Sequence, residues 1–363
     1  MNNKISAKQA GFLVVTCILA TVDVFIPSEV AQRAGRDAWL SVLIAVVIGY
    51  SMFRLTLMLC SLFPNHTLAG FNRLLLGKYL GGVVTMIYIL AFLVISTIAL
   101  VEFAIIIPTA FKPGSSIYLW DFTLLLPALY VASLGISIPA RMNELLLPLG
   151  LLILLIVVVF NIPYINLKEY LPVLANGYLP PLVGAYTMGG KLGHSLLYFV
   201  IFPLIEHKDK LIALGNKLTP LLILALWAGT LAIAIFGPAL TGMMIFPALE
   251  MIRNIDIGFI TRLDALMMMV WYMGFLIFIA AFSYGAAVLT RDLFNLKGYR
   301  LVLWFYGLVI LVIANFRIIN VPLIRTMFLN PLSSMVYILA LVIPLLLLIV
   351  AKLRGYPKEV GES

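Results

Sequence analysis

Charged side chains are scarce in this sequence: Asp, Glu, Lys and Arg make up 11% of 363 residues, whereas 63% are hydrophobic. A water-soluble domain usually carries about 25% charged residues. The mean hydropathy of +1.13 comes from continuous apolar runs near the twenty residues that cross a bilayer as a helix. The composition therefore excludes a soluble protein, and the absence of in-out alternation excludes a β-barrel. We predict an all-α integral membrane protein embedded in a lipid bilayer.

Cysteine and histidine are also rare, with two and three residues respectively. Cys17 and Cys60 fall inside apolar spans, where thiols act as small buried hydrophobes rather than as disulfide partners. No group of His, Cys, Asp or Glu has metal-ligand spacing, and no glycine-rich phosphate loop or nucleophile-base pair stands out. We therefore predict that the protein is not an enzyme and uses no metal or cofactor.

The apolar runs predict ten transmembrane spans in a single transporter-like domain that covers residues 1–363. The predicted spans are 9–33, 38–62, 81–108, 117–138, 142–163, 181–206, 213–240, 258–290, 299–317 and 332–352. Lys and Arg are more frequent in the loops on the side of the N-terminus, which places both termini in the cytoplasm. Because the net charge of +9 follows this topology, it predicts no nucleic-acid partner.

Two spans, the first and the sixth, are interrupted at matching positions. Residues 21–28 contain Asp23 and a proline, and residues 187–194 contain Lys191, His194 and paired glycines. If the ten spans divide five and five, these are the first members of the two halves. The odd number gives the halves opposite orientations, as in transporters built from inverted repeats. We predict an inverted 5+5 repeat with broken helices 1 and 6.

The breaks predict the chemistry of a ligand. Unwinding frees backbone N–H and C=O groups that lipid cannot satisfy. Half-helix N-termini favour a carboxylate and free carbonyls favour an ammonium, and an amino acid carries both. A buried charge is costly alone, so we predict that Asp23 and Lys191 lie close together or are bridged by ligand and water. A structural ion pair, ligand contact and proton coupling stay open as their roles.

Further candidate residues lie in the third and eighth spans. Glu102 either faces inward, where it can sense an ammonium or a proton, or faces the interface and is merely solvated. Thr97 and Val101, four residues apart, line one helical face. Aromatic residues around Ser283 supply an apolar wall with hydroxyls, unless they only pack helices. The predicted ligand-binding residues are Asp23, Val24, Thr97, Val101, Glu102, Gly189, Gly190, Lys191, His194, Phe282 and Ser283.

Several different short motifs follow one another along the chain in a distinctive order. The early ones are KISAKQ at 4–9, FIPS at 25–28, AGRDAWL at 34–40, FPNHTL at 63–68 and LGKYLG at 76–81. The later ones are residues 135–141 followed by Glu144, LPVLANG at 171–177, and Phe246-Pro247 ahead of Arg262. In the order and spacing of these motifs the chain resembles the B-subunit family of spore germination receptors over nearly its whole length.

That resemblance implies an APC/LeuT-like branch of the amino acid-polyamine-organocation superfamily, located in the inner membrane of endospores. It implies a nutrient pocket between the first, third, sixth and eighth spans, and partners in a receptor A subunit and a lipoprotein C subunit. The implied function is to sense a germinant, often an amino acid, and to signal germination through those partners. Residues 278–281 are apolar where the family often carries a mid-span lysine, so no particular nutrient is implied.

Two other functions stay open from the sequence. A proton-coupled amino-acid permease would use Asp23, Glu102 or Lys191 as groups that change protonation during alternating access. A conduit for water or ions within a larger assembly would also need polar residues at the breaks.

Overall fold

Long helices form most of this chain. The computed structural model describes residues 4–255, 263–316 and 331–356, except for the side chain of Asp23. The helices are α1 (Ala7–Ala34), α2 (Ala38–Leu62), α3 (Leu68–Ile106), α4 (Ile117–Ser133), α5 (Ser137–Asn161), α6 (Leu179–Leu192), α7 (Tyr198–Ile201), α8 (Lys210–Phe236), α9 (Pro238–Met243), α10 (Pro247–Arg253), α11 (Leu263–Phe294), α12 (Arg300–Asn315) and α13 (Pro331–Leu353).

The predicted spans are matched by helical structure throughout the described residues. Six helical segments there are long and apolar enough to cross a membrane, judged by length and composition, and three shorter apolar helices accompany them. Two glycines at positive φ set boundaries that hydropathy could not place. Gly77 (φ 80°) bends α3 after its first turns, and Gly237 (φ 80°) separates α8 from the short helix α9.

The predicted break in helix 1 is corrected by the structure. α1 is one α-helix through residues 21–28, with Pro27 inside it. A proline removes one N–H donor from a helix, so it cannot bond to the carbonyl of Asp23 four residues earlier, but the backbone stays helical. The Thr21 hydroxyl bonds to main-chain carbonyls one turn back, at 3.3 Å each. A proline alone is therefore a weaker interruption than the sequence suggested.

The predicted break in helix 6 is present. α6 ends at Leu192, residues Gly193–Leu197 form a 3-10 segment, and α7 follows for a single turn. A further 3-10 turn, Phe202–Leu204, leads into a short strand. A side chain at Gly193 would overlap Val336 of α13, so this glycine lets α13 approach the break closely. α1 and α2 flank α6, and α3 packs along α11.

A two-residue parallel ladder joins the N-terminus to the end of the sixth span. Strand β1 (Ile5–Ser6) pairs with strand β2 (Ile205–Glu206). The Ser6 hydroxyl also accepts the N–H of Gln9 at 3.1 Å, while the Gln9 side chain accepts the N–H of Ser6 at 2.9 Å. This capping box starts α1 directly after β1. The start of α1 and the end of the stretch that follows the break in helix 6 are thus bonded to each other.

The opposite end of α1 is tied to the loop that follows α5. Asp37 is buried, and its Oδ1 accepts the N–H of Leu174 at 2.9 Å. The neighbouring Arg36 guanidinium donates to the carbonyl of Leu171. The loop at residues 162–178 is therefore held against the turn between α1 and α2.

Candidate functional site

A buried ion pair lies at the C-terminal end of α6. Lys191 Nζ donates to Glu102 Oε1 of α3 at 2.5 Å, and the two side chains are 5% and 8% exposed. Opposite charges removed from water are tolerated only when they pair closely. The second carboxylate oxygen, Glu102 Oε2, is buried and has no hydrogen-bond partner among the described residues. The pair is therefore neutral overall, and Glu102 Oε2 can still accept a hydrogen bond.

His194 lies three residues after Lys191, in the 3-10 segment. Its ring meets the rings of Phe278 and Phe282 edge-on, with centroids 4.9 and 5.5 Å away. Phe278 and Phe282 stack on each other at 4.7 Å, so α11 supplies an aromatic wall. His194 Nδ1 is buried and also lacks a hydrogen-bond partner within the described part of the chain. This nitrogen is a second polar atom able to bind a ligand.

These groups converge on a small cavity between α1, α3, α6, α11 and α13. Its volume, measured for the centre of a water molecule, is about 10 Å³, which is room for about one water. The lining residues are Thr21, Ile95, Ile98, Ala99, Glu102, Gly190, Lys191, His194, Phe278, Leu332 and Val336. In this conformation the protein is closed around the ion pair.

The structure brings several of the predicted residues together. Glu102, Gly190, Lys191 and His194 line the cavity, and Phe282 contacts the His194 ring. Glu102 faces inward, which decides between the two orientations left open by the sequence.

Lys191 has a partner in the structure that the sequence did not assign to it: its ammonium pairs with Glu102 of the third span. The side chain of Asp23 lies outside the described residues, so its predicted role stays a prediction.

The other predicted residues are buried in the helix packing and do not line the cavity. The Thr97 hydroxyl bonds to a main-chain carbonyl one turn back at 2.8 Å, and Val24 and Val101 are in the core. Ser283 lies 3.5 Å from a serine hydroxyl of α3. Gly189 packs against a tyrosine hydroxyl of α13. These five residues surround the site rather than face the ion pair.

Sequence reasoning missed the contribution of α13. Ser333 donates to the carbonyl of Thr187 at 3.0 Å, and Tyr337 donates to the carbonyl of Tyr186 at 3.2 Å. The rings of Tyr186 and Tyr337 stack at 5.0 Å with an interplanar angle of 9°. The signal in the sequence was the pair of adjacent glycines in α6, because such a pair leaves room for a neighbouring helix.

A buried ion pair beside a broken helix, enclosed by other apolar helices, is typical of multi-pass membrane proteins that share the fold of secondary transporters. The fold agrees with that class. The chain is similar to MhsT in complex with L-phenylalanine, with a TM-score of 0.68, 14% identity and coverage of 96% of this chain and 98% of that one. Mhp1, a nucleobase-cation-symport-1 family transporter, gives a TM-score of 0.64 at 14% identity, over 93% of this chain and 79% of that one. The predicted APC/LeuT-like fold is thereby confirmed.

Sequence comparison identifies the family. Residues 4–322 match the family of spore germination proteins. Spore germination protein KB of Bacillus subtilis (strain 168) is 29% identical over 321 residues, which cover 86% of this chain and 84% of that protein. The chain belongs to the spore germination protein family, as its ordered motifs predicted.

Proposed function

We propose that this chain is the germinant-sensing membrane subunit of a spore germination receptor. It binds a small nutrient, an amino acid, beside the break after α6 and signals to partner subunits. The observation that carries this proposal is the buried Glu102–Lys191 pair, whose atoms converge with His194 on one cavity.

The ion pair suits a zwitterion because an amino acid carries one group for each partner: a carboxylate for the lysine and an ammonium for the glutamate. The ligand carboxylate would accept from Lys191 Nζ, and the ligand ammonium would donate to Glu102 Oε2, which has no partner among the described residues. After the exchange every buried charge still has a partner of opposite sign, and the ligand adds no net charge to the protein interior. A singly charged ligand would leave one buried charge unmatched.

Binding requires a conformational change because the cavity holds about one water molecule. An amino acid enters only when α13 or the 3-10 segment Gly193–Leu197 moves away from the ion pair. A ligand that binds the opened state more tightly than the closed one shifts the population towards it. This shift is the signal in our proposal.

The proposed contacts extend beyond the ion pair. Gly190 and His194 line the cavity directly. Asp23 takes part through its main-chain carbonyl, which Pro27 cannot satisfy. Once the helices part, residues that surround the closed site come within reach of the ligand. These are Val24, Thr97, Val101, Gly189, Phe282 and Ser283.

Family membership supports the remaining parts of the proposal. The chain would lie in the inner membrane of the endospore with both termini in the cytoplasm, beside a receptor A subunit and a lipoprotein C subunit. The nutrient signal would pass from the opened site to those subunits.

Equilibrium binding of a labelled amino-acid panel to the chain in lipid nanodiscs tests the proposal. Glu102→Gln and Lys191→Met should each weaken binding by about tenfold or more, since each removes a charge-assisted hydrogen bond. Glu250→Gln is the matched control, because Glu250 forms an exposed pair with Arg253 at 3.1 Å. Equal affinities in both site variants and the control would refute the binding site.

A proton-coupled amino-acid permease is the second candidate, favoured by the buried titratable groups beside the break and by the transporter-like fold. Uptake into proteoliposomes that contain this chain alone separates the two. Saturable binding without uptake supports the sensor. Concentrative uptake that depends on a pH gradient supports the permease, and Glu102→Gln should then abolish the pH dependence.

A further inference from the structure

The first turns of α3 fold back on the rest of the helix at Gly77. Asn72 donates to the Thr85 hydroxyl at 3.2 Å, and a side chain at Gly81 would overlap the carbonyl of Asn72, so the bend is tight. The part of α3 that follows Gly77 is long enough to cross the hydrocarbon core of a bilayer, which is about 30 Å thick. The bend therefore lies near one surface of the membrane, at the level of the lipid headgroups.

Three basic residues surround this bend. Arg73 precedes it and donates to the carbonyl of Leu293 at 3.1 Å, and Lys78 follows Gly77 directly. Arg354, just after the end of α13, donates to the carbonyl of Leu74 at 3.4 Å. All three basic residues are exposed, and none of them forms an ion pair within the described residues. We call these three residues the basic bend.

The positive charge of the basic bend is not cancelled by the neighbouring carboxylate. Asp292, next to the carbonyl that Arg73 contacts, already pairs with Arg291 at 2.6 Å and accepts from the Thr67 hydroxyl at 2.6 Å. A guanidinium has five N–H groups in a fixed fork. Contact with a main-chain carbonyl therefore orients each arginine and leaves donors for a phosphate group, which accepts several hydrogen bonds at once.

Apolar stripes run from the basic bend along two neighbouring helices. Arg354 meets α3 at Leu74, and farther along Tyr88 donates to the carbonyl of Leu339 at 2.7 Å, so α3 and α13 lie antiparallel over this stretch. Near the bend each helix exposes apolar side chains three or four residues apart, which places them on one face. These are Leu80, Val83 and Ile87 of α3, and Leu345, Ile349 and Leu353 of α13. Two stripes beside one basic patch match a molecule with an anionic head and two apolar chains.

We propose that the basic bend binds an anionic phospholipid, whose phosphate accepts hydrogen bonds from Arg73, Lys78 and Arg354 while its acyl chains lie along α3 and α13. A zwitterionic lipid fits less well, because its own cation meets three like charges. A soluble anion has no chains to cover the stripes. This site is separate from the proposed nutrient site. Its test needs no nutrient, so failure of one proposal is distinguishable from failure of the other.

The test is photolabelling of the full chain in an uncharged detergent with phosphatidylglycerol that carries a diazirine in one acyl chain, followed by mapping of the labelled residues. We expect saturable labelling of the exposed stripes of α3 and α13. Unlabelled phosphatidylglycerol should compete at least about tenfold better than phosphatidylcholine with the same acyl chains. The reason is that each nearby cation favours an anionic headgroup by about fivefold.

Two charge-matched variants locate the preference. The site variant changes the basic bend to glutamine and should abolish the preference: Arg73→Gln, Lys78→Gln and Arg354→Gln. The control removes the same charge from three exposed lysines elsewhere and should keep the preference: Lys112→Gln, Lys168→Gln and Lys217→Gln. Lys78→Gln alone breaks no hydrogen bond within the described part of the chain, so it leaves the fold intact and should lower the preference by about fivefold.

Three results would overturn the proposal. The first is equal competition by phosphatidylglycerol and phosphatidylcholine in the unmodified chain. The second is an equal loss of preference in the site variant and the control, which is the behaviour of net charge rather than of a site. The third is competition by glycerol 3-phosphate as strong as that by phosphatidylglycerol, since a soluble anion would then account for the binding.

Discussion

Lys191 Nζ lies 2.5 Å from Glu102 Oε1 and so joins the last turn of α6 to α3. The two residues come from spans that are far apart in sequence. If either residue is removed, the charge of the other has no partner. Their interaction fixes the end of α6 at the point where the helix gives way to the 3-10 segment.

Removing one partner should therefore cost more than removing both. Lys191→Met or Glu102→Gln alone should lower the free energy of unfolding by about 3–5 kcal/mol, because the surviving polar group stays buried without its partner. The double variant should recover most of that loss. Thermal unfolding of the detergent-solubilised protein measures the three effects.

The exposed pair of Arg253 and Glu250 serves as the control for that series. Glu250→Gln should change stability by no more than about 1 kcal/mol, because the pair is solvated. A double variant at Glu102 and Lys191 that is as unstable as the worse single variant would contradict a direct interaction between them.

Close packing of α13 on α6 depends on glycine. A Cβ at Gly190 would lie 2.5 Å from Ser333 Cα, which is main chain and cannot rotate away. Gly190→Ala should destabilise the protein by about 1–3 kcal/mol. Gly82→Ala is the control, because its Cβ would make only an ordinary contact at 3.6 Å in a helix that alanine favours. Similar melting temperatures for the two variants would show that α13 is free to shift.

The start of α1 should be sensitive to its capping serine. Ser6→Ala removes the acceptor for the N–H of Gln9 and should cost about 1 kcal/mol. Ser116→Ala is the matched change at the N-cap of α4, where the side chain makes no capping hydrogen bond, and should have little effect. Amide hydrogen exchange at Gln9 should rise in the first variant alone.

The loop at residues 162–178 should loosen when its buried anchor is removed. Asp37→Ala takes away the acceptor for the N–H of Leu174, so exchange of that amide should quicken by about tenfold. Lys168→Ala, at an exposed position of the same loop, should leave the rate unchanged. An unchanged rate in both variants would mean that other contacts hold the loop.

The sequence predicted the spans and the break in helix 6 because both follow from local chemistry. Apolar runs must cross the bilayer, and three glycines within residues 189–193 weaken a helix, which ends at Leu192 just before the third of them. The break in helix 1 was predicted by the same reasoning and is absent, since Pro27 costs only one hydrogen bond in an otherwise continuous helix. The local sequence pattern therefore identified the positions at which a helix can be interrupted, but not which of the two helices is interrupted.

The site was predicted less completely, because it depends on contacts between distant spans. Lys191 and Glu102 were both candidates, yet nothing in the sequence indicated that they pair with each other. The contact of α13 with Gly190 joins segments more than a hundred residues apart and has no local signature beyond small residues. Such contacts are set by how the helices cross, which hydropathy does not determine.

The ladder between β1 and β2 couples the amino terminus mechanically to the end of the sixth span. Ile5 and Ser6 are held opposite Ile205 and Glu206, so a tilt or axial slip of the stretch below the break carries the start of α1 with it. Rigid coupling of this kind transmits displacement without any relay through the core. A change at the ion pair would thus emerge at Lys4 and Glu206, two exposed positions on the rim of the protein.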